Sequence, residues 1–280
     1  MREVHVDNIR ETVAKLCIDA NYNLGSDVKG RLVLAKKNET FAIAQDILDS
    51  IIENAEIAEA ERVPMCQDTG MACVFVEIGQ EVHIVGGGLH QAINDGVKEG
   101  YSKGFLRKSV VKDPIRRVNT GDNTPAVIYV DLVEGDKFSI TVAPKGFGSE
   151  NMSALAMLKP SDGLEGVKKF IIDTVRKAGP NACPPMIVGV GIGGTFDKAA
   201  NLAKKAAVRN SDVRNADEYY KDLELELLEE INTLGIGPQG FGGRTTALAI
   251  NIEVYPTHIA GLPVAVNINC HATRHLTAEL

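Results

Sequence analysis

No stretch of this sequence approaches the ~20 consecutive apolar residues of a membrane-spanning helix. The opening, Met1-Arg2-Glu3-Val4-His5-Val6-Asp7, has no apolar signal-peptide core, so the expected compartment is the cytoplasm. Positive charge is short as well: 30 Lys and Arg against 37 Asp and Glu leave a formal charge of −7. Nucleic-acid and membrane surfaces want clustered cations, and the balance argues against both. No Cys-x-x-Cys pair is present, which argues against a structural zinc knuckle. The glycine run Gly189-Val190-Gly191-Ile192-Gly193-Gly194 lacks the Gly-x-Gly-x-x-Gly spacing of a dinucleotide-binding turn. Internal repeats, low-complexity tracts and an evident interdomain linker are missing too.

What is present is an ordinary globular composition, 44% hydrophobic and 24% charged over 280 residues, enough for one large domain or two. The 5 cysteines are an odd number at long, irregular spacing. A cytoplasmic chain of this size does not need disulfide staples, so metal binding or reactive chemistry is the more informative alternative. Cysteine alone proves little, because free Cys is among the most buried residue types.

Helical spacing dominates the first sixty residues. Asn8 with Glu11 reads as a capping box before Ile9, Val13, Leu16, Cys17 and Ala20. A second helix is expected over Asp27 to Lys37. A third, capped by Thr40, places Ile43, Ile47, Ile51 and Ala55 on its buried face. Residues 1–62 therefore read as a helical layer. Short strands follow, over 73–78 and 82–85, then a helix over 89–102. Residues 126–133 and 137–143 flank Glu134-Gly135-Asp136 and read as a β-hairpin. Helices over 164–177, 198–208 and 217–234 and strands over 186–190, 246–254 and 262–268 complete the chain. The run Glu224 to Glu230 reads as a solvated helix face. Cys17 and Cys73 lie on core patterns and read as packing, while His5, His83 and His90 read as partly exposed polar residues.

Three loops carry the remaining cysteines. Pro64-Met65-Cys66-Gln67-Asp68-Thr69-Gly70 sets a thiol beside an amide and a carboxylate; Pro64 disfavours helix before it and Gly70 permits a tight turn. Asn181-Ala182-Cys183-Pro184-Pro185 and Asn269-Cys270-His271-Ala272-Thr273-Arg274-His275 are the other two. Iron–sulfur clusters are held by cysteine thiolates, usually four. Three ligands leave one iron without a protein ligand, and an open position lets a metal act as a Lewis acid. From spacing alone, however, three inert buried thiols are the default.

The flanking residues shift that balance. Pro-Met-Cys-Gln-Asp-Thr-Gly (64–70), Leu-Arg (106–107), Val-Asn-Thr-Gly (118–121), Lys-Gly-x-Gly-Ser (145–149), Ala-Cys-Pro-Pro (182–185), Ile-Gly-Gly-Thr (192–195) and the stretch from Thr257 to His275 resemble the class I, iron–sulfur-dependent fumarate hydratase family. The α subunit of L-tartrate dehydratase falls in the same group. The resemblance runs from the first helix to the C-terminus, and seven segments in order are far more specific than any one.

The resemblance implies a [4Fe–4S] cluster on Cys66, Cys183 and Cys270. It implies substrate binding by Gln67, Asp68, Arg107 and Gly148, with Gly146 competing for the last role. Asp68 and His258 take the catalytic roles, His258 as a partner of Asp68. Without the resemblance, Asp68 reads as a turn cap, His258 as structural and Arg107 as a solvated surface residue. Arg116, Arg117 and Arg274 stay open between substrate and surface. Single-chain members of the family continue into a second domain bringing a catalytic threonine and further Arg and Lys, whereas this chain stops ten residues after Cys270. The expectation is an α subunit whose active site a separate β subunit completes, commonly as α2β2, acting on a small dicarboxylate.

The expected fold is mixed α/β of the α+β kind. One catalytic domain spans 1–280, its helical N-terminal layer packed on mostly antiparallel sheet with the cluster-binding loops at the sheet edge. The expected function is fumarate hydratase, interconverting fumarate and L-malate. Tartrate dehydratase is the alternative within the family, and an iron–sulfur redox or sensor protein the alternative from another class.

Overall fold

The computed structural model describes residues 1–280. In chain order the elements are β1 (Arg2–His5), α1 (Val6–Tyr22), α2 (Ser26–Asn38), α3 (Ala42–Glu61), β2 (Met71–Gly79), β3 (Val82–Val85), α4 (Leu89–Lys103), β4 (Val127–Val133) and β5 (Phe138–Lys145). Then come α5 (Phe147–Glu150), β6 (Ala154–Leu158), α6 (Gly163–Ala178), β7 (Met186–Gly193), α7 (Phe196–Ala206), α8 (Glu218–Asn232), β8 (Ala247–Tyr255), β9 (Leu262–Asn269) and β10 (Leu276–Glu279). The architecture is the mixed α/β one that the alternation of periods predicts. No helix is long and apolar enough to cross a membrane.

Two compact units share the chain. One takes Met1–Gly25, Ala55–Phe147 and Arg274–Leu280; the other takes Ser26–Asn54 and Gly148–Thr273. Because both are discontinuous in sequence, no linker composition marks a boundary between them.

In the first unit a four-stranded sheet runs in the order β10-β5-β2-β4, beside a parallel pair of β1 and β3. The reading of 126–143 as a hairpin is wrong. β4 pairs in parallel with β2, and β5 pairs antiparallel with the other edge of β2, so Val74 faces both Ile128 and Val142. The connection between β4 and β5 instead passes over the end of β2, where Gly79 N–H donates to Lys137 O (2.7 Å) and Glu81 N–H to Gly135 O (2.9 Å). A near-continuous apolar strand such as β2 is satisfied best in the middle of a sheet, with both edges paired. One face of the sheet is covered by α1 and α4, whose Ile9, Val13, Cys17, Ile93, Val97 and Tyr101 join Val74, Val76, Phe138, Ile140 and Val142 in one core. The helices approach closely because α4 offers no side chain at the crossing: a Cβ on Gly96 would lie 2.6 Å from Arg10 O, and one on Gly100 2.7 Å from Ala14 O.

In the second unit the sheet order is β6-β9-β7-β8. β7 pairs in parallel with β8 and antiparallel with β9. α6 and α8 bury Ile171, Val175, Leu223, Leu227 and Ile231 against Val188, Val190, Ile250, Ile252, Val264 and Val266. The alternate glycines of β7 seat α7, since a Cβ on Gly191 would lie 2.1 Å from Ala199 O and one on Gly189 2.3 Å from Ala203 O. The glycine run that fails the dinucleotide pattern is thus a helix seat.

Local details also differ from expectation. α1 begins at Val6, capped by His5 Nδ1 accepting from Asp7 N–H (3.2 Å), rather than by Asn8. α3 buries Ile51 and Ala55 as expected, together with Ala58, but in its first turns Ala44 and Leu48 take the buried positions and Ile43 is exposed. Glu224 is fully buried, ion-paired with Arg209 and accepting Ile252 N–H (2.8 Å), where the sequence suggested a wet face. β1, β6 and β10 are too short to show a period of their own.

The segment ahead of α3 is tied down by Glu39. Its Oε1 accepts Thr40 N–H (2.9 Å) and Phe41 N–H (3.1 Å), and its Oε2 accepts Arg244 N–H (2.7 Å). Burial pushes this carboxyl up, but the main-chain donors of Phe41, Arg244, Thr40 and Thr245 outweigh it and hold the group below the usual range. A depressed folded-state pKa gives stability that is present above the unfolded value of about 4.3 and lost as pH falls through the folded one. Glu39→Gln is expected to cost about 2 kcal/mol at neutral pH and progressively less in acid, read by urea unfolding at both ends of the range.

Candidate active site

The five cysteines divide by environment. Cys17 and Cys73 are buried, Cys66 and Cys270 are half-buried, Cys183 is exposed, and none forms a disulfide. Burial pushes the Cys17 thiol up to about 12, which leaves it inert. The three loop cysteines are accessible, as ligands or nucleophiles must be.

The Cys66 loop lies in the first unit, between α3 and β2. Asp68 N–H donates to Cys66 Sγ (3.4 Å). The Asp68 carboxylate is held at both oxygens: Oδ1 accepts Gly70 N–H (3.0 Å) and Oδ2 accepts Phe147 N–H (2.8 Å). A Cβ on Gly146 would lie 3.2 Å from Oδ2, so that glycine leaves room for the carboxylate.

Beneath the loop its main-chain oxygens point to buried donors. Arg274 Nη2 donates to Asp68 O (2.8 Å), Tyr101 OH lies 2.7 Å from Thr69 O and 3.0 Å from Gly70 O, and Asn123 Nδ2 donates to Gly70 O (3.1 Å). Burial pushes the Tyr101 phenol well above its usual value, keeping its proton in place. Asn21, fully buried, accepts from Arg274 Nη1 (3.0 Å) through Oδ1 and from Met65 N–H (3.0 Å) through its main-chain oxygen.

Arg107 is exposed. Its main-chain oxygen accepts from Thr69 Oγ1 (3.1 Å), and buried Leu106 anchors the residue before it. The guanidinium makes no ion pair or hydrogen bond and is free to take an anion. Gln67 is exposed on the same loop as Cys66, while Arg116 and Arg117 are exposed on a turn that Asp113 Oδ1 fastens by accepting Ile115 N–H (2.9 Å) and Arg116 N–H (2.6 Å).

Cys183 and Cys270 belong to the second unit, and their loops are joined directly. Cys183 sits in the left-handed region (φ 51°) before Pro184. Its main-chain oxygen accepts His271 N–H (3.2 Å). His271 Nδ1 lies 3.0 Å from that oxygen and 3.0 Å from Gln239 Nε2, so it donates to the first or accepts from the second. Gln239 also spans to Pro184 O, from its N–H (2.8 Å) and from Nε2 (2.9 Å). Thr273 Oγ1 closes the Cys270 turn on Cys270 O (2.8 Å). His258 is exposed in the turn between β8 and β9; its Nδ1 accepts Ala260 N–H (3.2 Å), which leaves Nε2 to carry the proton of the neutral ring. Gly148 has open space at its Cβ position, with Asn181 O the nearest atom at 3.9 Å. Gly194 and Thr195 form the turn into α7. No three His, Cys, Asp or Glu side chains stand gathered as a ready-made metal group.

The chain matches the fumarate hydratase (Fumerase) family model over residues 10–279. It belongs to that family. Among similar proteins is a putative L(+)-tartrate dehydratase subunit alpha of Methanocaldococcus jannaschii, 45% identical over 276 residues, covering 95% of each chain. Another is the L(+)-tartrate dehydratase subunit alpha of Escherichia coli K12, 34% identical over 276 residues, covering 97% of this chain and 90% of that one. The Shigella boydii protein of the same name is 34% identical over the same length. Membership makes the chain part of a hydro-lyase.

Asn21, Tyr101, Asn123 and Gln239 were not singled out from the sequence. Tyr101 extends the Ile93 and Val97 stripe of α4 by one further turn, and its hydroxyl is the only hint of a second duty. In the reduced, folded chain, iodoacetamide is expected to alkylate Cys66, Cys183 and Cys270 and to spare Cys17 and Cys73 until the chain is unfolded, as read by peptide mass spectrometry.

Proposed function

We propose that this chain is the α subunit of a hydro-lyase that removes water from a small 2-hydroxy dicarboxylate. L(+)-tartrate, giving oxaloacetate, is the first substrate, and L-malate, giving fumarate, is the second. The sequence motifs alone favoured malate and fumarate. The observation that carries the tartrate reading is the name borne by relatives 34–45% identical over nearly the whole chain. The family description supports the other pair. The same relatives are named as subunits, which supports a β partner for this chain, with α2β2 as the proposed assembly. No feature favours a redox or sensor role.

Cys66, Cys183 and Cys270 are the residues proposed to hold a [4Fe–4S] cluster. The fit rests on their accessibility, on the N–H donated to Cys66 Sγ, and on the direct bonding of the Cys183 and Cys270 loops. When bound with one iron open, such a cluster supplies Lewis acidity toward a hydroxyl. The chain's own groups do the rest. Arg107 presents a planar fork to a substrate carboxylate, and two parallel charged hydrogen bonds fix both position and angle. Gln67 offers an amide and Gly148 a main-chain N–H to substrate oxygens. Asp68, its carboxylate held by two main-chain donors, carries a proton between its oxygens and the departing hydroxyl, which leaves as water. His258 holds its proton at Nε2, the atom available to a carboxylate partner. The partner subunit supplies the group that takes the proton from carbon.

Anaerobic co-expression with the partner subunit tests the proposal. Tartrate turnover above malate turnover is expected, and a fully loaded protein that dehydrates neither would end the reading. Replacing any of Cys66, Cys183 or Cys270 with Ala is expected to lower bound iron and sulfide. Arg107→Ala is expected to raise KM about 10- to 100-fold, the loss of a charged hydrogen-bonding pair.

A further inference from the structure

Arg274 is 4% exposed, and its Nε has no hydrogen-bond partner. Its other two nitrogens donate to neutral oxygens, Nη1 to Asn21 Oδ1 (3.0 Å) and Nη2 to Asp68 O (2.8 Å). No carboxylate forms an ion pair with it. A buried cation with no carboxylate in direct contact gains little to offset its desolvation, and a side chain of similar volume without charge would be the cheaper filling.

The neighbouring carbonyls show that charge is not required to satisfy the loop. Thr69 O and Gly70 O are met by a phenol and an amide, both neutral. Only the carbonyl of Asp68 is given a cation. A charge-assisted hydrogen bond is roughly twice as strong as a neutral one and holds its partner more tightly. The side-chain end of the same residue is fixed by Gly70 N–H and Phe147 N–H, and Gly146 keeps the space beside both groups. A Cβ there would lie 3.2 Å from Asp68 Oδ2 and 3.5 Å from Arg274 Nη2. Asp68 is therefore clamped at its carbonyl and at both carboxylate oxygens, which fixes where the acid points. Departures from folding economy of this kind collect at working sites.

We propose that Arg274 is the positioning residue for Asp68, holding its main-chain oxygen so that the carboxylate keeps one orientation toward substrate. The proposal rests on the hydro-lyase reading, in which Asp68 moves a proton. Arginine is needed for its shape as well as its charge, because one planar fork reaches Asn21 and Asp68 together and a lysine ammonium does not reproduce it.

The test uses the full chain assembled with its partner subunit, comparing wild type with Arg274→Met, Arg274→Lys and, as a contrast, Arg107→Ala. For Arg274→Met the unfolding midpoint is expected within a few degrees of wild type, because the lost hydrogen bonds are offset by removal of a buried charge. Amide exchange over residues 66–70 is expected to rise about tenfold, and kcat to fall about 10- to 100-fold at nearly constant KM, the usual cost of a misplaced reacting group. Arg274→Lys is expected to fold and to show the same loss of kcat. Arg107→Ala is expected to move KM and leave exchange at 66–70 unchanged. Methionine retaining kcat within about twofold, or lysine restoring it fully, overturns the proposal. So does a loss of activity that merely tracks global unfolding. If the wild-type assembly turns over neither dicarboxylate, the hydro-lyase reading fails by itself, and unchanged exchange at 66–70 would separately refute the clamp.

Discussion

The carbonyl oxygens of Asp68, Thr69 and Gly70 sit in a loop between a helix and a strand, with no ladder to pair them. Burying such groups unpaired costs as much as losing a hydrogen bond. The first unit answers with donors drawn from three distant parts of its chain: Tyr101 on α4, Asn123 ahead of β4, and Arg274 near the C-terminus. These groups hold the backbone from below, which leaves Cys66, Gln67 and the Asp68 carboxylate on the accessible side. Rigid support under a loop is what allows loop side chains to act with defined geometry.

The same economy separates the cysteines. Cys17 faces α4 where glycines bring two helices into contact, and Cys73 lies in the central strand of a sheet, so both behave as small apolar groups. Cys66, Cys183 and Cys270 sit where regular structure ends and the main chain must find other partners. Cys183 adopts a left-handed conformation, an unfavourable state for a residue with a side chain that surrounding bonds must over-determine. The Gln239 and His271 contacts around it supply that constraint.

Long periodic elements were legible in the sequence almost to the residue. β3 has the bounds expected, and the main helices of the second half differ from expectation by one or two residues. Pairing was not legible. Residues 126–143 carry every local sign of a hairpin, yet β2 lies between the two strands, because turn chemistry says nothing about which strand competes for an edge. Glu224 shows the same limit: a charged heptad looks solvated until Arg209 is brought beside it from another segment.

For the site, the sequence by itself determined the chemical inventory: which thiols, carboxylates and guanidinium groups exist, and that turn-forming neighbours keep them out of helices and strands. Those properties are local, set by the steric preferences of Pro and Gly and by side-chain type. Tertiary structure alone decided that Asn21, Tyr101, Asn123 and Arg274 meet beneath one loop, and that Gln239 meets the Cys183 and Cys270 turns. Hydrogen bonds between residues far apart in sequence leave no periodic trace, because only the packed sheet and helices fix the distances that make them.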